Sequence, residues 1–326
     1  MAVNNLIETS GFSYTLANEP EWFYKSLKNA KTIDKGYVRV LPNVTDQIRV
    51  KKVVMSPVSV SQVDNRDCSW DSTDHFALDE KLFTVHNMKV NIDQCMSELD
   101  NVYSEMIFNS IGALKDEWPK VGSPESLEDV IMFHIQHGLS LDIEKQIWGS
   151  ESNSVDGIHD GIIDKLLLDP DTIKVSNPVT IDSTNVLSEI ARVWEQIPDN
   201  VLNDGEYDPE KAAVRLFVSS DIYRSLKQAL STASTQYLVQ LPSFTIDNGV
   251  IRYLGVEIVS VGLPAQTMLA ASRDNLVVVT DLLSDTQQIE VGFGKEIFNK
   301  DRWFARGQYR FDAGYIFADE CVLYMQ

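Results

Sequence analysis

The chain has 326 residues, of which 44% are hydrophobic and 23% charged, enough apolar material for a sizeable core and too much for a wholly disordered polypeptide. Its 48 acidic residues outnumber 28 basic ones, and a net charge of -20 repels phosphate backbones, which disfavours tight, direct binding to DNA or RNA. No stretch approaches the roughly 18 uninterrupted apolar residues of a membrane span, and the start, MAVNNLIETSGFSY, has neither the basic nor the apolar block of an export signal.

The length predicts two lobes, or one lobe with long excursions. Cys68, Cys95 and Cys321 are widely spaced and form no C-x-x-C pair, so a reducing compartment is expected. Residues 1–33 carry Phe12, Tyr14, Trp22, Phe23 and Tyr24 without a sustained period, and read as an extended arm with one short helix around EWFYKSLKNA. From Gly36 to about Val90 the pattern turns β-like: YVRVL, QIRVKKVVM, SVSQV and, after the polar DNRDCSWDSTDH, the strand KLFTVHNMKVNI. This reads as a long two-stranded excursion. Lys25, Lys28, Lys31, Lys35, Arg39, Arg49, Lys51 and Lys52 outnumber Glu19, Glu21, Asp34 and Asp46 here, so a basic excursion stands on an acidic body and suggests pairing between copies. The alternative is a solvated hairpin with incidental lysines.

Residues 93–118 predict a helix, with Cys95, Leu99, Tyr103, Met106, Ile107, Ile111, Leu114 and Trp118 on a period near 3.6. A second helix is capped by Ser123, has Pro124 at its first position and stops at Gly149, a reach of roughly 37 Å. After SVDGIHDGIIDKL, a helix with Val186, Leu187, Ile190, Trp194 and Ile197 ends at Pro198. An acidic loop (DNVLNDGEYDPE), the strand AVRLFV, a Ser219/Ser220 cap and the helix DIYRSLKQAL follow. The remainder reads as strands: FTI, a turn at Asp247, Asn248 and Gly249, VIRYLGVEIVSV, TMLAAS, NLVVV, QIEVGF and RWFARGQYRFDAGYIFADECVLY.

Candidate chemistry is thin. His134 and His137 lie at i, i+3 on the long helix, but they lack an H-E-x-x-H signature and two further ligands. Ser219 sits between a strand and a helix without the glycines of a nucleophile elbow, and an N-cap explains it. GFGKE at 292–296 lacks the ending of a phosphate loop. Arg302, Trp303, Phe304, Arg306, Tyr309, Arg310 and Phe311 mix cations and aromatics as single-strand binders do, against the simpler reading of a sheet with one aromatic face. Asp281 and Asp285 follow the strand NLVVV; they are either an acid/base pair of a carboxylate-based hydrolase or the frame of a turn between two domains. No catalytic residue, metal site or cofactor site is expected.

The order of arm, β excursion, long helix and mixed lobe, with DIEKQIWG, DGIIDKLL, AVRLFVSSDIYRSLKQAL, YLGVEIVSVGLP, NLVVVTDLLSD, IEVGF and RFDAGYIFADECVLY, resembles the major capsid proteins of tailed bacteriophages. Their shared fold is named for phage Hong Kong 97, and the crAss-like phages are one candidate group. The resemblance implies an α+β, Hong Kong 97-type fold: an N-terminal arm (1–33), an extended loop (34–92), a peripheral domain with a spine helix (93–178), an axial domain (179–285) and return strands to the peripheral domain (286–326). It implies a structural protein, not an enzyme, that self-assembles into pentamers and hexamers of an icosahedral head. Packaged double-stranded DNA would be enclosed without sequence-specific binding, and no membrane would be involved. Portal, scaffolding and head accessory or decoration proteins are the implied partners, and assembly would take place in the bacterial host cytoplasm. The short arm leaves no room for a fused scaffold, so a separate scaffold or a trimmed precursor is implied. A minor capsid, decoration or tail protein is the alternative. Arg49, Lys51 and Lys52 are the candidate intersubunit contacts.

Overall fold

The computed structural model describes residues 13–15, 26–54, 77–95, 127–149, 160–203, 214–237, 243–247, 249–281, 289–293 and 302–326. Two mixed layers of strands and a projecting hairpin make up the α+β fold. The first sheet has six strands: β1 (Ser13–Thr15), β2 (Arg39–Leu41), β5 (His86–Cys95), β12 (Leu276–Thr280), β13 (Ile289–Phe293) and β14 (Arg302–Tyr315). β14 is its spine. β13 and then β12 pair along one side of it, while β5 runs antiparallel along the other from Arg302↔Cys95 to Phe311↔His86.

The second sheet has seven strands in the order β6 (Ile173–Lys174), β15 (Val322–Met325), β11 (Thr267–Ser272), β7 (Val214–Val218), β10 (Val256–Ser260), β9 (Val250–Tyr253) and β8 (Phe244–Asp247). Strands buried on both faces read as continuous apolar runs. TMLAAS and LVVVT do so, and nearly every residue of each is buried. β3 (Gln47–Val54) and β4 (Ala77–Thr84) form a separate antiparallel ribbon in register from Gln47↔Thr84 to Val54↔Ala77.

Residues 26–29 are helical, in the segment EWFYKSLKNA where a short helix is expected, and further helices follow: α1 (Lys31–Asp34), α2 (Leu127–Trp148), α3 (Ile162–Leu168), α4 (Val186–Glu195), α5 (Asp199–Asn203) and α6 (Ser220–Tyr237). The 22 residues of α2 span about 33 Å, and Ile135, Leu139, Ile143 and Ile147, each four apart, turn one stripe into the core. Gly149, at φ +107°, ends it where the sequence predicts a stop. Its core is shared by both layers: α2, α3, Tyr309, Phe311 and Ala313 of the first sheet, and Phe217, Leu269 and Leu323 of the second. The opposite face of the second sheet packs on α4 and α6 through Ile190, Val193, Ile222 and Leu226.

Several expectations change. The helix expected from residue 93 does not begin there, because residues 93–95 finish β5 opposite β14; residues 96–118 lie outside the described residues, as do Ser123 and Pro124. KLFTVHNMKVNI is two strands rather than one, broken at Val85, and the second joins the main sheet. The first part of the expected acidic loop, DNVLN, is helix α5, which starts just after Pro198. VIRYLGVEIVSV also divides, since Leu254 and Gly255 take φ +46° and +90° and make a two-residue hairpin turn between β9 and β10. A leucine rarely adopts that conformation, which is why the turn is invisible in the pattern.

Candidate functional site

The candidate contact residues lie on β3. Alternation along a strand puts directly paired positions on one face, so Arg49 (opposite Leu82) and Lys51 (opposite Glu80) share the outer face. Position 52, opposite Asp79, lies on the inner face with positions 48 and 50. The structure therefore separates the three. Arg49 donates to Glu80 Oε2 at 3.2 Å, with the two side chains 70% and 42% exposed, a geometry worth at most about 1 kcal/mol. β4 answers the basic strand with Asp79 and Glu80, so the ribbon is of mixed charge, a feature missed by counting charges only along residues 25–52. Leu82 adds a half-exposed apolar side chain to the same outer face.

The inner face is the root. Phe83 is buried against Val44, Val277 and Val279, with Ile48, Val50 and Ile316 packed around them. A Cβ on Gly314 would lie 2.9 Å from the Phe83 ring, so glycine is what lets the ring approach β14 this closely. Beside it, Arg310 of β14 donates to Thr45 O (2.9 Å), Asn87 Oδ1 (3.0 Å) and Asp281 Oδ2 (3.3 Å). One guanidinium thus joins the segment leading into β3, the start of β5 and the end of β12. Val85 N donates to Asp46 O at 2.9 Å and closes the two feet of the ribbon.

A polar cluster lies on the same inner side. The Tyr315 hydroxyl donates to Asp169 Oδ2 at 2.6 Å, Lys81 Nζ stands 3.7 Å from that carboxylate, and the same ammonium sits 4.4 Å from the Tyr315 ring centre. Tyr315's hydrogen bond, chiefly, holds the Asp169 carboxyl below the usual range. Lys165 Nζ donates to Asp312 Oδ1 and Ala313 O, both at 2.6 Å. Burial pushes the Asp312 carboxyl up, against the opposing pull of Lys165.

The remaining candidates resolve differently. Asp281 is buried and ion-paired with Arg310, whereas Asp285 and the expected turn around it lie outside the described residues. A buried acid bound to an arginine is not presented to a substrate. Tyr309 and Phe311 are core residues, so they offer no stacking surface for bases. His137 is exposed on α2, and no group of three or more His, Cys, Asp or Glu able to hold a metal occurs among the described residues. Ser219 precedes α6, and its carbonyl accepts from Tyr223 N at 3.0 Å, the backbone geometry of an N-cap. No described helix is long and apolar enough to cross a membrane.

Comparison with known proteins places this geometry. No family model matches the chain, and no curated protein does. Solved structures do. A chain of the satellite phage P4 procapsid, solved with its size determination (Sid) protein, superposes with a TM-score of 0.54 at 12% identity over 93% of this chain and 96% of its own. A structure from Microbacterium phage Oxtober96 gives 0.54 at 10% identity, covering 100% and 95%. The capsid of a native GTA particle gives 0.52 at 10% identity, covering 92% and 89%. At such identities the likeness is one of fold, and it spans nearly the whole of each chain: this protein has the fold of phage capsid subunits.

Proposed function

We propose that the protein is a major capsid protein of a tailed bacteriophage, with a Hong Kong 97-type fold, whose copies assemble through pentamers and hexamers into an icosahedral shell that encloses double-stranded DNA. The observation that carries this reading is the fold likeness, over 93% and 92% of this chain, to chains of the P4 procapsid and of the GTA particle capsid. In that frame β3 and β4 belong to the extended loop, α2 with the six-stranded sheet to the peripheral domain, and the seven-stranded sheet with α4 and α6 to the axial domain. β12 lies in the six-stranded sheet, and β6 and β15 lie in the seven-stranded one.

The outer face of the ribbon supports the contact role proposed for Arg49 and Lys51, and Lys52 would act from the opposite face. An acidic wall lets packaged DNA slide past with little adhesion. Portal, scaffolding and accessory proteins are the proposed partners, and the virion head is the proposed location. The test is sedimentation of the purified chain at increasing concentration. The reading expects discrete species many times the mass of the 326-residue subunit. A monomer at every concentration and salt, also when co-expressed with its genetic neighbours, would overturn it in favour of a decoration or tail component.

A further inference from the structure

We propose that the β3–β4 ribbon is held on a two-point mount, a fixed pivot at Arg310 and a salt-sensitive stay between Lys81 and Asp169 that sets the ribbon's direction. The pivot is the triple contact of Arg310 with Thr45, Asn87 and Asp281, next to the buried Phe83 ring. Asp281's side chain is 1% exposed and Arg310's 24%, so salt screens this pair weakly.

The stay has different physics. Lys81 lies two residues from Phe83 on the same face of β4, about 7 Å further from the pivot. Its Nζ is 3.7 Å from Asp169 Oδ2, too long for a strong hydrogen bond, so Coulomb attraction and the Tyr315 ring hold it. Lys81 is also 39% exposed. The Debye length falls from about 10 Å at 0.1 M salt to about 3 Å at 1 M, so the attraction is strongly screened over that range.

The body end of the stay is rigid. Asp169, just past α3, is fixed to β14 by Tyr315, and α3 is fixed there again by Lys165 with Asp312 and Ala313. Releasing Lys81 therefore leaves the ribbon held at its root, by Arg310 and by the packing of Phe83, Ile48 and Val50, so that it turns there without unravelling the sheet. The mount is a property of a single chain; only its consequence, steering the ribbon toward a neighbour, rests on the shell reading.

The test uses the full chain, dilute enough to be monomeric, with spin labels carried by an unnatural amino acid at Lys51 and Asp171. In 0.1 M salt one narrow distance distribution is expected, and a second, displaced population should grow at 1 M salt. Lys81→Glu should show that displaced population already at 0.1 M, and Lys81→Met should show less of it. Arg310→Ala should broaden the distribution at every salt concentration. If Arg310→Ala fails to fold, Asn87→Ala replaces it, removing one pivot contact. Distances that respond neither to salt nor to Lys81→Glu, in protein with unchanged circular dichroism, would overturn the proposal whatever the assembly state proves to be.

Discussion

Glu144 is a buried carboxylate on α2 that accepts three hydrogen bonds: from Thr32 N (2.9 Å), Thr32 Oγ1 (2.6 Å) and Gly262 N (3.3 Å). Trp148 Nε1 donates in turn to Thr32 Oγ1 at 2.9 Å, and Lys31 Nζ to Ser260 O at 2.5 Å. A single acid thus ties the chain before the ribbon to the long helix and to the second sheet. Glu144→Gln places an amide donor against donors, and is expected to cost about 2 kcal/mol, read as a lower urea midpoint at unchanged slope. Asp221, at the start of α6, is a second such residue. Burial opposes its ionisation, but the neighbouring Ser219 hydroxyl and the N–H groups of Gln266 and Ile222 outweigh that and hold its carboxyl below the usual range. Gln266 Nε2 adds a hydrogen bond at 2.7 Å and ties the helix start, through its Oε1, to Ile181 N. With the folded value depressed, this stabilisation is present above the ordinary aspartate value of about 3.9 and is lost as pH falls through the folded one. Asp221→Asn should therefore flatten the fall in unfolding free energy below about pH 4, and an identical slope in wild type and variant would contradict this assignment.

At the scale of elements, two glycines separate backbone freedom from close approach. Gly161, before α3, lies so near the end of α2 that a Cβ would collide with the backbone of Gly149, whereas nothing lies within 4 Å of a Cβ on Gly138 in the middle of α2. Gly161→Ala is expected to destabilise by about 3 kcal/mol or more, and Gly138→Ala to stabilise by about 1 kcal/mol, both measured by thermal and urea unfolding. The stop of α2 was legible in the sequence because Gly149 follows an unbroken helical stretch, and the turn at Gly249 between β8 and β9 because a glycine at φ +82° suits it. Leu254 hid the next turn by adopting a conformation its side chain does not advertise. The candidate site was legible only in part. Arg49 and Lys51 were visible as charge along one strand, but Glu80, which answers them, is brought opposite only by pairing across the ribbon. Arg310 was visible only as one cation among aromatics; its contacts with Thr45, Asn87 and Asp281 join segments up to 265 residues apart, which no local pattern encodes.

For the whole molecule, the ribbon leaves a body whose two sheets share one core, and among the described residues its root is buried while Arg49 and Lys51 face outward. If copies meet through that outer face, reversing Arg49 and Lys51 to glutamate should leave the monomer's stability within about 1 kcal/mol, because exposed charges contribute little to folding. The same change should weaken assembly most at low salt, where charge steering between copies is strongest, and light scattering across salt concentrations reads that difference. Unchanged scattering at every salt concentration would remove these residues from the contact. The most direct measurement is electron microscopy of the purified protein, alone and co-expressed with its genetic neighbours. Rings of five and six subunits or closed shells, with density for the ribbon lying across an adjacent copy, are the expected result; isolated single chains, or particles in which the ribbon touches no neighbour, would contradict the account.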